Sequence, residues 1–315
     1  MKVGCRRRAG LHRWCLAAAL AWLCPACAQA LSAVDDSGRT HVFEAPPKRV
    51  VTLAPSLAEL VFAAGAGASL VGTTDLSDFP EPARRIPRIG DAGRLDVERV
   101  LTMKPDLVLV WQRGATSREQ EQLAAAGIPL FHLEPRRLDD VARAIERLGH
   151  LLGSEGVAAS TAAELRRSLA ALRDRHAAAA SVRVFYQVWT RPLMTINGRQ
   201  LINDVVALCG GRNVFAELAP LVPVVSTEAV VAADPEAMFT ASEEGGGAPA
   251  WQRRPDDPSF ATWQRHRRMS AVRNGWLFTL NGDGISRLGP RIVDGARAMC
   301  AALDLVRRER SAGPR

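Results

Sequence analysis

The residues able to do chemistry are distributed in a way that argues against catalysis. Six histidines, His12, His41, His132, His150, His176 and His266, fall singly, and no two have the spacing that lets a helix or turn present them to one metal ion. There is no His-Glu-x-x-His, no Gly-x-Ser-x-Gly elbow, no P-loop and no Gly-x-Gly-x-x-Gly after a strand, so zinc hydrolysis, acyl transfer and nucleotide chemistry lack their usual carriers. Asn281-Gly282-Asp283-Gly284 starts like a calcium loop but lacks the later Asp/Asn and the closing Glu. No metal or cofactor is called for, and recognition of a small molecule becomes the leading idea.

The chain has 315 residues, 47% hydrophobic and 23% charged, enough apolar material for one large or two medium domains and too much for a disordered segment. Its net charge of +8 invites a nucleic-acid reading, which fails on inspection. Residues 1–30 carry Lys2, Arg6, Arg7, Arg8 and Arg13 with no acid, then an apolar run from Trp14 to Ala28 and the small-residue triplet ending at Ala30. These are the parts of a secretory signal peptide; the run is shorter than a bilayer needs, and neither Cys24 nor Cys27 has a clean lipobox. Losing five basic residues and no acid leaves the remainder at about +3, which removes the main support for nucleic-acid binding. Four cysteines leave with the segment. Cys209 and Cys300 remain, and in an oxidising compartment two such thiols tend to be joined, two buried free thiols being the alternative.

The elements that must position a site alternate strand and helix. Arg49–Leu53 reads as a strand, and Ser56 with Glu59 three residues on reads as a capping box opening a helix over 57–64. Strands follow at 70–73, 107–110 and 129–133, with helices from Asp96 to about Met103 and over 117–126. Residues 138–180 are rich in Ala, Leu, Arg and Glu without Pro, giving one helix to Leu152 and another over 158–179, about 30 Å long. Strand 182–189, helix 201–208, a Gly- and Pro-rich surface loop over 242–258, strand 276–280 and a terminal helix 290–306 complete the chain. The halves echo each other. Glu98 and Glu228 each stand two residues after a cap (Asp96, Ser226) and seven before a proline (Pro105, Pro235) that precedes a strand. This predicts an α/β protein of two Rossmann-like lobes, 31–150 and 181–315, joined by a long rigid helix over 151–180, with a ligand cleft between them.

An ordered set of motifs carries a resemblance. Val50-Val-Thr-Leu-Ala-Pro-Ser-Leu-Ala-Glu59, Ser77-Asp-Phe-Pro80, Val97-Glu-Arg-Val with Lys104-Pro-Asp-Leu-Val, Cys209-Gly-Gly-Arg-Asn-Val-Phe, Val225-Ser-Thr-Glu-Ala-Val with Asp234-Pro-Glu-Ala, and Arg287-x-x-Pro290-Arg291 occur in sequence. Together, over residues 48–306, they resemble the periplasmic cobalamin-binding proteins of ABC importers, within a helical-backbone class that also carries haem and iron siderophores. The resemblance implies a periplasmic, non-enzymatic monomer that delivers a corrinoid to a permease dimer in the inner membrane. It implies that Glu98 and Glu228 dock on the permease, that Cys209 and Cys300 form a disulfide, and that Asp283 and Arg287 line the ligand cleft with Pro55.

The same resemblance exposes departures. Positions where the family packs aromatic rings on the corrin fall here on Leu76, Ala92, Met194 and Val222. Trp111 and Trp189, each at a strand end, are candidates to supply replacement faces or simply to fill the core. Haem is the natural rival ligand, but the sole tyrosine, Tyr186, sits mid-strand. A ferric siderophore would recruit cations such as Arg84, Arg85, Arg88 and Arg94. A secreted α/β enzyme and a structural adaptor are the rivals from other classes.

Overall fold

The computed structural model describes Met1 and residues 30–91, 93–111, 117–242, 249–287 and 289–312. The export segment proposed for 1–30 therefore lies almost wholly outside the described residues, as does Ala92. No helix among the described residues is long and apolar enough to cross a membrane.

Two parallel sheets organise the chain. In the first, the strands run in the order Leu70–Thr73, Val50–Thr52, Leu107–Val110, Leu130–His132. In the second the order is Gly211–Asn213, Val182–Gln187, Ala237–Ser242, Leu277–Asn281, the same permutation of chain order. All four residues of Leu107–Val110 are buried, as expected of a strand covered on both faces by crossover helices. The proposed loop over 242–258 needs correction: Trp251–Arg253 forms an antiparallel edge strand on Leu277–Asn281, with Trp251 packing edge-on against Phe278. The aromatic anchor outweighs the Gly and Pro content around it.

The internal echo holds at atomic detail. The helices Val97–Thr102 and Thr227–Ala233 are capped by Asp96, which accepts from the Arg99 N–H at 2.9 Å, and by Ser226, which accepts from the Ala229 N–H at 3.1 Å. Lys104 and Asp234 end the two corners with φ of 46° and 41°, and among the described residues no other non-glycine has positive φ. Beyond the prolines, the carboxylates of Asp106 and Glu236 each accept from an arginine backbone N–H, of Arg49 and Arg183 respectively, at 2.9 Å. Those arginines donate back to the helix ends, Arg49 to the Met103 carbonyl at 2.7 Å and Arg183 to the Asp234 carbonyl at 2.9 Å.

Between the lobes stand two helices, Leu138–Leu152 and the 22-residue Glu155–His176, separated by Gly153 at φ 73°. At 1.5 Å per residue the second is about 33 Å long. It buries Ala158, Ala162, Leu165, Leu169, Leu172 and His176, a stripe of alternating three- and four-residue steps, against Leu138–Leu152, Leu201–Leu208 and the terminal helix Ile292–Ser311. At its end the buried His176 ring lies 3.1 Å from Asp304 of the terminal helix. That helix is also bonded to Cys209 by the Cys209–Cys300 disulfide, which closes a separation of 91 residues with the Cα atoms 4.8 Å apart.

An N-terminal hairpin, Leu31–Val34 with Thr40–Phe43, has no counterpart in the sequence expectations. Asp35 secures it to the first sheet by accepting from the His132 N–H at 3.2 Å. Burial opposes ionisation of Asp35, but hydrogen bonds from the Ser37 hydroxyl, the His41 ring and the backbone of Arg39 and His132 bring its pKa down to about 2.

Two outcomes follow for the scaffold. Because the folded-state pKa of Asp35 lies below its ordinary 3.8, its contribution is complete above that value and is lost as pH falls toward 2. Amide exchange across residues 31–43 should therefore accelerate over this window before the sheets open, and unchanged protection would refute it. Replacing both cysteines by serine should cost about 4.6 kcal/mol in denaturant unfolding, the loop-closure value for a ring of this size.

Candidate functional site

In each lobe the carboxyl ends of the parallel strands open toward the other lobe, the usual place for a ligand in an α/β fold. Pro55 and Trp111 follow strands of the first sheet, and Val188 and Gly282 follow strands of the second. Two cavities lie here, both touching Ser286 and Arg287. The smaller, about 290 Å³, lies between the lobes, with Pro55, Trp111 and Pro135 on one side and Arg199, Leu201 and Leu221 on the other. The larger, about 990 Å³, is bounded by Val188–Arg191, Ser242, Arg254 and Asp283 of the second lobe and stands at the upper end of the range for small-molecule sites.

A five-membered ion cluster crosses the cleft between them. Arg291 donates through Nε and Nη2 to Glu59 Oε2 and Oε1 at 3.1 and 2.7 Å, a two-pronged pair that joins the terminal helix region to the helix Pro55–Ala63. Arg287 Nη1 donates to Asp78 Oδ1 at 2.5 Å and lies 3.6 Å from Glu59, while its Nη2 lies 3.0 Å from Asp283. Arg291 also lies 3.4 Å from Asp283, and its guanidinium stands 4.4 Å above the Phe79 ring. Two arginines and one aspartate come from the second lobe, and Glu59 and Asp78 from the first. The side chain of Glu59 is only 1% exposed. Burial pushes its pKa up, against the pull of Arg291 and Arg287. At the more open Asp78, burial is outweighed by Arg287, and the carboxyl is held below its ordinary range.

This arrangement overturns the capping box. The helix begins at Pro55 with Ala54 as its cap and no side-chain bond there, so Glu59 is free of the helix end and points into the inter-lobe contact. Glu59, Asp78 and Arg291 were missed as site residues although all three stand inside the recognised motifs. The available signal was a lone acid inside Leu57-Ala-Glu-Leu-Val, an apolar helix face where a carboxylate needs a partner.

Of the proposed ligand residues, Pro55 lines the smaller cavity, Asp283 the larger, and Arg287 both. Asp283 and Arg287 are therefore at the cleft, but as mutual partners in a cluster rather than as isolated ligand groups. Leu76, Met194 and Val222 line neither cavity, and Ala92 lies outside the described residues. Leu76 is 67% exposed. Trp111 and Trp189 both reach it, Trp111 in the smaller cavity and Trp189 in the larger. Tyr186 is a core residue, 2% exposed, and burial pushes its hydroxyl pKa up, an environment that disfavours a phenolate ligand for haem iron. Arg84, Arg85, Arg88 and Arg94 line neither cavity; Arg84 and Arg88 are bonded to the Asp78 and Thr74 carbonyls.

The turn carrying Asp283 is fixed by a close backbone approach. A Cβ on Gly295 of the terminal helix would lie 2.5 Å from the Gly284 carbonyl oxygen, so only glycine lets helix and turn meet. Glu98 and Glu228 are both exposed, each in the first turn of its helix. Among the described residues no cluster of His, Cys, Asp and Glu is arranged to hold a metal.

Comparison with known proteins agrees with this geometry. The family model described as periplasmic binding protein matches residues 50–283. The vitamin B12-binding protein of Vibrio parahaemolyticus is 32% identical over 265 residues, covering 84% of this chain and 92% of that one. That of Yersinia pestis is 35% identical, covering 80% and 85%. Among solved structures, the periplasmic vitamin B12 binding protein of Vibrio cholerae superposes with a TM-score of 0.72 at 30% identity, covering 83% of this chain and 98% of its own. A periplasmic heme binding protein from Pseudomonas aeruginosa gives 0.68 at 26%, covering 81% and 92%.

The ion cluster yields a test of its own. Arg291→Met leaves Glu59 buried with weakened compensation and should lower unfolding stability by about 3–5 kcal/mol. Since burial raises the folded-state pKa of Glu59, the deficit should be smallest in acid and deepen as pH rises through that pKa. A pH-independent loss in chemical denaturation would show that Glu59 is not the group left exposed to the change.

Proposed function

The chain belongs to the periplasmic binding protein family, and from that premise we propose that it captures a corrinoid, cobalamin or a close relative, and delivers it to an ABC importer of the inner membrane. The observation that carries this reading is the cleft: two equivalent sheets present their carboxyl ends to one another, with a cavity of about 290 Å³ between the lobes and one of about 990 Å³ beside it on the second lobe, the two meeting at Ser286 and Arg287. Members of the family bind and hand over; they are not enzymes. The names of the relatives at 32–35% identity favour a corrinoid over haem, and the burial of Tyr186 supports the same choice. Ligand contacts are assigned to Pro55, Asp283 and Arg287, with Trp111 as an apolar wall.

Glu98 and Glu228 are the proposed contacts to the permease. A helix that feeds a parallel strand runs antiparallel to it, so its first turn lies at the strands' carboxyl end. Both acids accordingly stand at the cleft end of their own lobe, at equivalent places in a duplicated unit, as a two-fold symmetric receiver requires. Its own backbone N–H and the Ser226 hydroxyl hold the Glu228 carboxyl below its ordinary range, so it is ionised at neutral pH. The N-terminal segment 1–30 is assigned to export and removal, and the mature protein to a monomer.

Calorimetric titration with cobalamin, cobinamide, haem and a ferric siderophore is the direct test. Binding of either corrinoid with the others inert supports the assignment; haem or siderophore binding alone sinks it. The double variant Glu98→Lys/Glu228→Lys should bind the corrinoid within about twofold of wild type and lose most uptake in cells, whereas unimpaired uptake would remove the docking role.

A further inference from the structure

We propose that Trp189, flanked by Met194 and Val224, forms an apolar shelf that takes the flat face of the ligand's macrocycle, in place of the aromatic rings missing at Leu76, Met194 and Val222. The proposal rests on the corrinoid reading and adds a contact and a specificity role to it. Three short extended segments meet beside the larger cavity. Trp189 pairs with Met194 and Thr190 with Leu193 in an antiparallel hairpin, and Met194 is bridged antiparallel to Val224 on its other side. Directly opposed residues of antiparallel segments share a face, so Trp189, Met194 and Val224 form one row.

The alternation along each segment shows which face this is. Leu193 and Val225, the neighbours of Met194 and Val224, pack against the buried cluster of Phe185, Phe260 and Trp263. The row of Trp189, Met194 and Val224 is therefore the side turned away from the core, and it is apolar all the same. Trp189 is 53% exposed and Val224 63%. A polar residue costs nothing at such a position, and a tryptophan left in water gains nothing there, so an apolar row exposed at both its ends, with the half-buried Met194 between them, marks a contact surface beside the cavity. The indole is also held: its N–H donates to the Arg191 carbonyl at 3.0 Å, which spares the ring part of the ordering cost on binding. Trp189 lines the cavity of about 990 Å³ together with Val188, Thr190 and Arg191, so the indole is the end of the shelf that borders the ligand space.

The occupant follows from the shape. A single indole with two aliphatic neighbours offers a flat, charge-free area, suited to a large planar ring system and unsuited to a compact ferric chelate dressed in anionic oxygens. The experiment is a titration of wild type, Trp189→Ala and Trp189→Phe with cobalamin, read by calorimetry and by quenching of tryptophan emission, with thermal melts as a check on folding. Trp189→Ala should bind about tenfold more weakly at an unchanged melting temperature, and Trp189→Phe, which keeps a flat ring, should stay within about threefold of wild type. Alanine binding as tightly as wild type, with or without a transport defect, overturns the shelf and leaves the corrinoid reading standing. Equal weakening in both variants overturns it too, by pointing to the indole N–H. A wild type that binds no corrinoid at all overturns the functional reading, and this proposal with it.

Discussion

A glutamate enclosed between two halves of a protein needs cations within reach, and here both cations come from the half across the cleft. The contact of Glu59 with Arg291, reinforced by Arg287, sets how far apart the lobes stand. Ion pairs of this depth add little net stability over an apolar contact of the same shape, but they tolerate misplacement poorly, because a displaced partner leaves a charge unsolvated. The cluster therefore acts as a gauge of position. It places Arg287 at the boundary of both cavities and Asp283 at that of the larger, and any ligand that contacts them does so at groups already oriented by Glu59 and Asp78.

The rest of the architecture serves this spacing. The helix Glu155–His176 runs between the halves as one unbroken element, and the terminal helix is held by Arg291 at its start and by the Cys209–Cys300 bond and the His176–Asp304 contact at its middle. A hinge needs a segment that can absorb a change of backbone angle, and a continuous helix offers none.

Most of the fold was legible because its signals are local. Leu107–Val110 could only be a buried strand, the Ala- and Leu-rich stretch from Leu138 onward could only be helical, and the repeat of cap, acid, proline and strand around Glu98 and Glu228 disclosed two related halves. The failures share a cause. Glu59 was read as a capping residue because Ser56 stands three places before it, and nothing nearby in the chain reveals an arginine 232 residues away. The strand Trp251–Arg253 was lost among glycines and prolines because edge pairing depends on a neighbour, Leu277–Asn281, that local composition does not contain. Asp283 and Arg287 could be singled out from the motif that holds them, while the company they keep, Asp78 above all, comes from the other lobe. Local sequence picks out the candidates, and pairing across the cleft sets their surroundings.

The corners at Lys104 and Asp234 bear on where the molecule came from. A left-handed backbone at a residue with a side chain costs about 1 kcal/mol or more, and glycine would remove that cost in either place. The two positions hold side chains of opposite charge, yet both adopt the same uncommon angle and both receive an arginine from the preceding strand or its flank. Two unrelated halves arriving separately at one awkward bend is a poor explanation. The bend belongs to the architecture common to both halves, and it is kept whichever side chain stands there.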